Sequence, residues 1–224
     1  METIGQKIFF NECGGKQEKL VWWNEGENFA SIGIGHFIWY PQGIRGPYEE
    51  TFPALVAFFK AEAIPLPDWV TGACPWKNKE EFSSQEEKKK ELQALLLRTF
   101  PLQAAFIGKR FEKAKEEILA SMDEKKRIAA THILASLEKW PQGKFALIDY
   151  LNFKGAGTSE SEQYQGKGWG LKQVLEEMQT PSIQAFVETA KQLLRARVKN
   201  APHQQQEERW LPGWLSRVDR YLNS

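Results

Sequence analysis

Apolar positions recur at one-turn spacing through Ile4, Ile8 and Phe9, which predicts a short helix over residues 3–12 that Gly14 and Gly15 stop. From Phe29 to Trp39 the pattern changes to apolar residues alternating with small ones. That predicts a bent two- or three-stranded hairpin whose glycines mark a bulge or a close backbone approach. Helical spacing then returns. Leu55, Phe58 and Phe59 follow a start at Thr51 and Pro53, and Leu92, Leu95 and Leu96 follow a capping box at Ser83 or Ser84. Phe111, Ala114 and Ile118 follow Thr99 and Pro101, and Ile128, Thr131, Leu134 and Ala135 form the face of a helix capped near Asp123. Phe145, Ile148 and Leu151 lead into a glycine-rich segment, and Thr180 with Pro181 opens a helix buried along Ile183, Phe186, Val187, Ala190, Leu193 and Leu194. Trp214, Leu215, Val218, Tyr221 and Leu222 carry too much apolar surface for a loose tail and predict a helix docked over about 210–222. The expected class is α+β, mostly helical, with a small hairpin region at about 20–42, in a single domain spanning 1–224. Gly43, Gly46 and Pro47 mark a loop over 42–48 after the hairpin.

Chemistry concentrates between residues 8 and 41. Glu12 falls in the last turn of the first predicted helix, where the negative end of the helix dipole disfavours a charged carboxylate, a property suited to a general acid. Glu25 and Glu27 lie in the turn before the hairpin, across from that helix end. Two carboxylates on opposite sides of a cleft are what most glycosidases use, one to protonate the leaving oxygen and one to activate water or steady an oxocarbenium ion. Trp22, Trp23, Trp39 and Tyr40 lie near these acids. Each ring alone reads as core, but their clustering beside three carboxylates suits the faces of pyranose rings.

Glu12, the acidic turn at Glu25 to Glu27, and the run Ser31-Ile32-Gly33-Ile34-Gly35-His36 resemble the catalytic segment of the phage-type muramidases of the lysozyme superfamily. In that family a helix-terminal Glu precedes a hairpin carrying T-I-G-I-G-H. The resemblance covers about residues 8–37 and implies a lysozyme-like fold in which the hairpin forms one side of a cleft. It implies peptidoglycan glycan strands as substrate and Glu12 as general acid. Ser31 falls where the family has a threonine that holds the attacking water, Glu25 where it has a catalytic aspartate, and Glu27 competes with Glu25 for that role. His36 is a structural residue in such a fold. The function expected is hydrolysis of β-1,4 bonds between amino sugars. The alternatives are a lytic transglycosylase, a chitinase- or chitosanase-like enzyme, or an inactive glycan-binding or structural protein.

A second stretch, from Asp149 to Val174, holds Gly155, Gly157, Gly166, Gly168 and Gly170, more than a linker between patterned helices needs. It predicts either a shaped loop that approaches a ligand, with Asn152, Tyr164, Gln165 and Trp169 as sugar contacts, or a surface loop that Tyr164 and Trp169 pin to the core. The 224 residues carry a formal net charge of +1 with 26% charged side chains, which argues against a dedicated nucleic-acid surface. No run is apolar and long enough to span a membrane, and METIGQKIFF lacks a signal pattern, so a soluble monomer is expected. It would be cytoplasmic, or periplasmic or directed to the cell wall by a leader or another export route. No metal or cofactor is expected, because no HExxH run occurs and Cys13 and Cys74 do not make a metal-binding pair. Cys13 itself could be a packing residue, a free thiol or a partner of Cys74.

Overall fold

The computed structural model describes residues 3–46 and 48–223; Pro47, in the loop expected at 42–48, lies outside them. The architecture is mostly helical with a small antiparallel sheet, as expected for the α+β class. The chain forms two compact units, Met1–Gly108 and Lys109–Ser224.

In the first unit, α1 (Ile4–Cys13) begins at Thr3, whose hydroxyl accepts from Gln6 N while the Gln6 side chain accepts from Thr3 N. It ends at Gly14 in the left-handed region, φ +60°. Three short strands follow, β1 (Val21–Trp22), β2 (Ala30–Ile32) and β3 (Phe37–Trp39), antiparallel in sequence order. Helices α2 (Phe52–Ala61), α3 (Lys79–Ser84), α4 (Glu86–Arg98) and α5 (Phe100–Ala120) complete it, with the unit boundary falling inside α5. Ile8, Leu20, Ile32, Phe37, Trp39, Phe52, Phe59, Trp76 and Leu95 form its core. At its centre the fully buried Gln103 accepts from Ile34 N at 3.0 Å and donates to Leu96 O at 2.7 Å and to Thr99 Oγ1 at 3.2 Å. That amide ties the turn between β2 and β3 to α4 and α5. It also explains Gly33, where φ is +78° and a Cβ would lie 2.5 Å from Gln103 Oε1 and 3.1 Å from the Phe37 ring.

Two expected caps are not made. Ser83 and Ser84 lie in α3, which Asn78 caps, and donate their hydroxyls to Lys79 O and Glu81 O of the preceding turn, while α4 begins at Gln85 without a side-chain cap. Thr51 precedes α2 but spends its oxygen on Ile38 N, continuing the edge of β3 rather than capping the helix.

The second unit contains α6 (Glu124–Leu137), α7 (Pro141–Lys154), a two-stranded ribbon of β4 (Gln163–Tyr164) and β5 (Lys167–Gly168), α8 (Leu171–Glu177), α9 (Ile183–Asn200) and α10 (Leu211–Asp219). Asp123 caps α6 as expected, donated to by Lys126 N. The buried face of α6 is Ala130, Ile133, Leu134 and Leu137, whereas Ile128 is 65% exposed. Both stripes satisfy helical spacing, and the one carrying Ile133 and Leu137 faces the core. The segment expected to dock over about 210–222 forms α10 followed by a 3-10 turn over Arg220–Asn223. Two buried carboxylates anchor this unit. Asp149 accepts from Arg217 Nε and a terminal guanidinium nitrogen at 2.9 and 2.8 Å and from Tyr221 OH at 2.6 Å. Glu207 accepts from Arg197 at 2.8 and 2.5 Å and from Tyr164 OH at 3.0 Å. Satisfied in this way, buried charges fix which helix meets which segment, and removing one partner strands the other.

Candidate active site

The last turn of α1 meets the turn between β2 and β3. That turn closes through a hydrogen bond from His36 N to Gly33 O, with His36 itself in the left-handed region at φ +47°. Few non-glycine residues adopt this conformation, and where they do the surroundings hold them there. His36 Nδ1 lies 3.7 Å from Glu12 Oε2, and both side chains are partly open, 15% and 13% exposed. On the other edge of the ring, Nε2 is 3.1 Å from Lys19 O and 3.4 Å from Cys13 Sγ. Cys13 is fully buried, its Sγ 3.6 Å from Lys19 O. Burial first, then the neighbouring Glu12 charge, push its thiol up to about 12 against the opposing effect of Lys19, so it is a neutral packing group rather than a nucleophile. Cys13 and Cys74 are both free thiols, which excludes the disulfide.

The other acids occupy different surroundings. Glu25 is exposed and accepts a 2.5 Å hydrogen bond from Lys79 Nζ, which lowers its pKa and keeps it ionised. Glu27 is half-buried and accepts from Asn24 Nδ2 at 2.9 Å; burial raises its pKa against that hydrogen bond. Ser31 is 3% exposed in the middle of β2, opposite Trp22 on one side and Ile38 on the other.

Strand register sorts the aromatic residues. Trp22 shares its face of the sheet with Ser31 and keeps 37% of its surface exposed, with Nε1 donating to Asn24 Oδ1 and the Lys19 ammonium 5.6 Å from its ring centre. Trp39 pairs with Ala30 on the opposite face and is buried among Phe52, Trp69 and Trp76. Trp23 is buried against Phe82 and donates to Glu27 O, and Tyr40 is buried against Phe29. Trp23, Trp39 and Tyr40, expected as sugar platforms, are therefore core residues.

The remaining candidates belong to the second unit. Gly157 and Gly170 are required by the loop's own backbone: a Cβ on Gly170 would lie 2.2 Å from Gly157 N, and Gln173 bridges the two segments by donating to Gly157 O and accepting from Gly170 N. Trp169 is 4% exposed, covered by the Arg197 guanidinium at 4.0 Å and by Tyr164 at 4.6 Å, and its carbonyl accepts from Tyr150 OH. Of the two readings of this loop, the pinned one describes it, and Tyr164 and Trp169 are packing residues. Gln165 is exposed and donates to Asn200 O, while Asn152 is half-buried on α7.

Sequence reading missed Gln103, Lys79 and the Lys19 carbonyl, each a partner that only tertiary packing supplies. It had noted Cys13 without its neighbour His36. Two surface concavities, one lined by Trp39, Pro41, Ile44, Glu50 and Cys74 and one by Leu137, Trp140, Pro181 and Ile183, do not include Glu12. Among the described residues no group of three or more His, Cys, Asp or Glu side chains is arranged to hold a metal ion, and no helix is long and apolar enough to cross a membrane. Comparison with protein-family models, with curated proteins and with solved structures gives no match.

Proposed function

We propose that this chain cleaves β-1,4 glycosidic bonds between amino sugars, with peptidoglycan glycan strands as substrate and Glu12 as the general acid. The observation that carries the reading is the apposition of Glu12, partly open at the end of α1, to His36 in the glycine-rich hairpin turn at 3.7 Å. Together with the resemblance of residues 8–37 to phage-type muramidases, it supplies a proton donor on a rigid helix end beside a shaped strand floor. Trp22, the exposed aromatic of the hairpin, is the side chain suited to stack on a sugar ring.

Replacing Glu12 with Gln tests this. The amide keeps the shape but holds no proton for the leaving oxygen, so turnover of purified peptidoglycan should fall by at least about 100-fold while the fold is retained. Wild-type protein inactive on peptidoglycan, chitin and chitosan would leave the glycan-binding or structural alternative.

The states of the other carboxylates favour a second reading of the same site. Glu25 stays ionised but is held by the Lys79 ammonium, and burial raises the pKa of Glu27. The ionised acid is thus engaged by a lysine and the other is disfavoured as a charge by its burial, whereas lytic transglycosylation requires one acid/base and lets a sugar hydroxyl attack. Product masses separate the two, since hydrolysis adds water and transglycosylation leaves a 1,6-anhydro end.

A further inference from the structure

The two nitrogens of His36 face partners of opposite character. A backbone carbonyl can only accept, so the 3.1 Å contact with Lys19 O places a proton on Nε2. Nδ1 is then the nitrogen that gains and loses a proton, and it is the one facing Glu12 Oε2. Groups around the ring support this assignment. The Cys13 thiol beside Nε2 stays protonated and has Lys19 O within its own reach, so it does not take the ring proton. The Lys19 ammonium, the cation of the segment packed on this edge, lies toward the Trp22 ring.

Resting on the glycosidase reading, we propose that His36 is a positioning residue that, across its 3.7 Å ion-pair contact, is coupled electrostatically to Glu12 and keeps one exchangeable proton at the site in neutral solution. Before bond cleavage the proton resides on Nδ1 or on Oε2. Glu12 delivers it to the glycosidic oxygen as the C1–O bond breaks, with the bonding pair going to that oxygen, and the couple is left as carboxylate and neutral imidazole. The group that then adds to C1, water or a sugar hydroxyl, releases one proton, which returns to the couple. An imidazole beside a carboxylate binds its proton more tightly than one alone.

The full-length chain, labelled with 15N, tests the coupling directly through long-range proton–nitrogen spectra of the His36 ring. Nε2 should remain protonated throughout the titration while Nδ1 titrates, and Glu12→Gln should lower the midpoint by about half a pH unit or more. A neutral ring protonated on Nδ1, or a midpoint indifferent to Glu12→Gln, overturns the proposal whether or not the protein is an enzyme. In turnover assays His36→Gln, whose amide can still donate to Lys19 O, should move the alkaline limb of the rate–pH profile to lower pH by about one unit, whatever happens to the maximal rate. An unmoved limb overturns the proposal. Absence of wild-type turnover overturns the glycosidase reading and the role in catalysis with it, a result distinct from failure of the spectroscopic arm.

Discussion

Gln103→Leu should loosen the hairpin turn that carries His36, and its cost can be built up from the structure. Gln103 is fully buried and its amide serves Ile34 N, Leu96 O and Thr99 Oγ1. Leucine has similar volume, so no large cavity opens. It leaves the Ile34 N–H and the Leu96 carbonyl without this partner, at about 1–3 kcal/mol for each buried group. Burying an apolar side chain in place of the amide returns about 1 kcal/mol. The net loss is roughly 1–5 kcal/mol, at its upper end a large share of the 5–15 kcal/mol that typically holds a domain. Urea unfolding should register it as a lowered midpoint with an unchanged slope. Native-state hydrogen exchange supplies the local readout, because the Ile34 amide should lose most of its protection while amides of α9 keep theirs. A change below about 0.5 kcal/mol with Ile34 still protected would refute the role given to Gln103.

Trp39→Ala should cost about 3–5 kcal/mol in a denaturation experiment, since the ring is almost wholly buried, whereas Trp22→Ala should stay within about 1 kcal/mol. If Trp22 stacks on sugar, the same Trp22→Ala protein should bind chitooligosaccharides about tenfold more weakly by fluorescence titration; unchanged affinity removes it from the site. Glu27 gives a pH prediction: its pKa is raised by burial, so its contribution to stability is full below the unfolded carboxyl range and is lost as pH rises through the folded value. Glu27→Gln should therefore be the more stable protein at pH 7, with the difference closing below about pH 4, and a gap that widens on acidification would contradict the assigned direction.

Local signals carried the elements well. The α1 stripe and its double-glycine stop are both contained within a dozen residues, and the alternation of residues 29–39 is confirmed as β2, the turn and β3. Failures arose where two local solutions competed. In α6 the stripe through Ile128 and Thr131 and the stripe through Ala130, Ile133 and Leu137 are both regular, and only packing chooses between them. At Ser83 and Ser84 the hydroxyls had carbonyls of the preceding turn within reach, which an S-x-x-E pattern does not reveal. The density of glycines at 155–170 correctly announced a shaped loop, but the approach they permit is to the loop's own backbone at Gly157 and Gly170.

The site was legible as a set of residue types and not as a set of partnerships. Glu12 and His36 are 24 positions apart, within one helix and one hairpin, so a local motif could bring them together. Lys79 reaches Glu25 from 54 residues away and Gln103 reaches Ile34 from 69, and no periodicity connects such pairs. The aromatic residues show how much one register decides. Side chains alternate across a strand, so once Ser31 stands opposite Trp22 and Ala30 opposite Trp39, the two tryptophans must lie on different faces. The face bearing Ala30, Ile32 and Phe37 is buried, and Trp39 goes with it. Trp22 is left on the other face, beside the Lys19 segment whose carbonyl orients His36. The cluster of four aromatics that first suggested a sugar cleft thus reduces to one exposed ring, attached to the same short segment that sets the tautomer of the histidine facing Glu12.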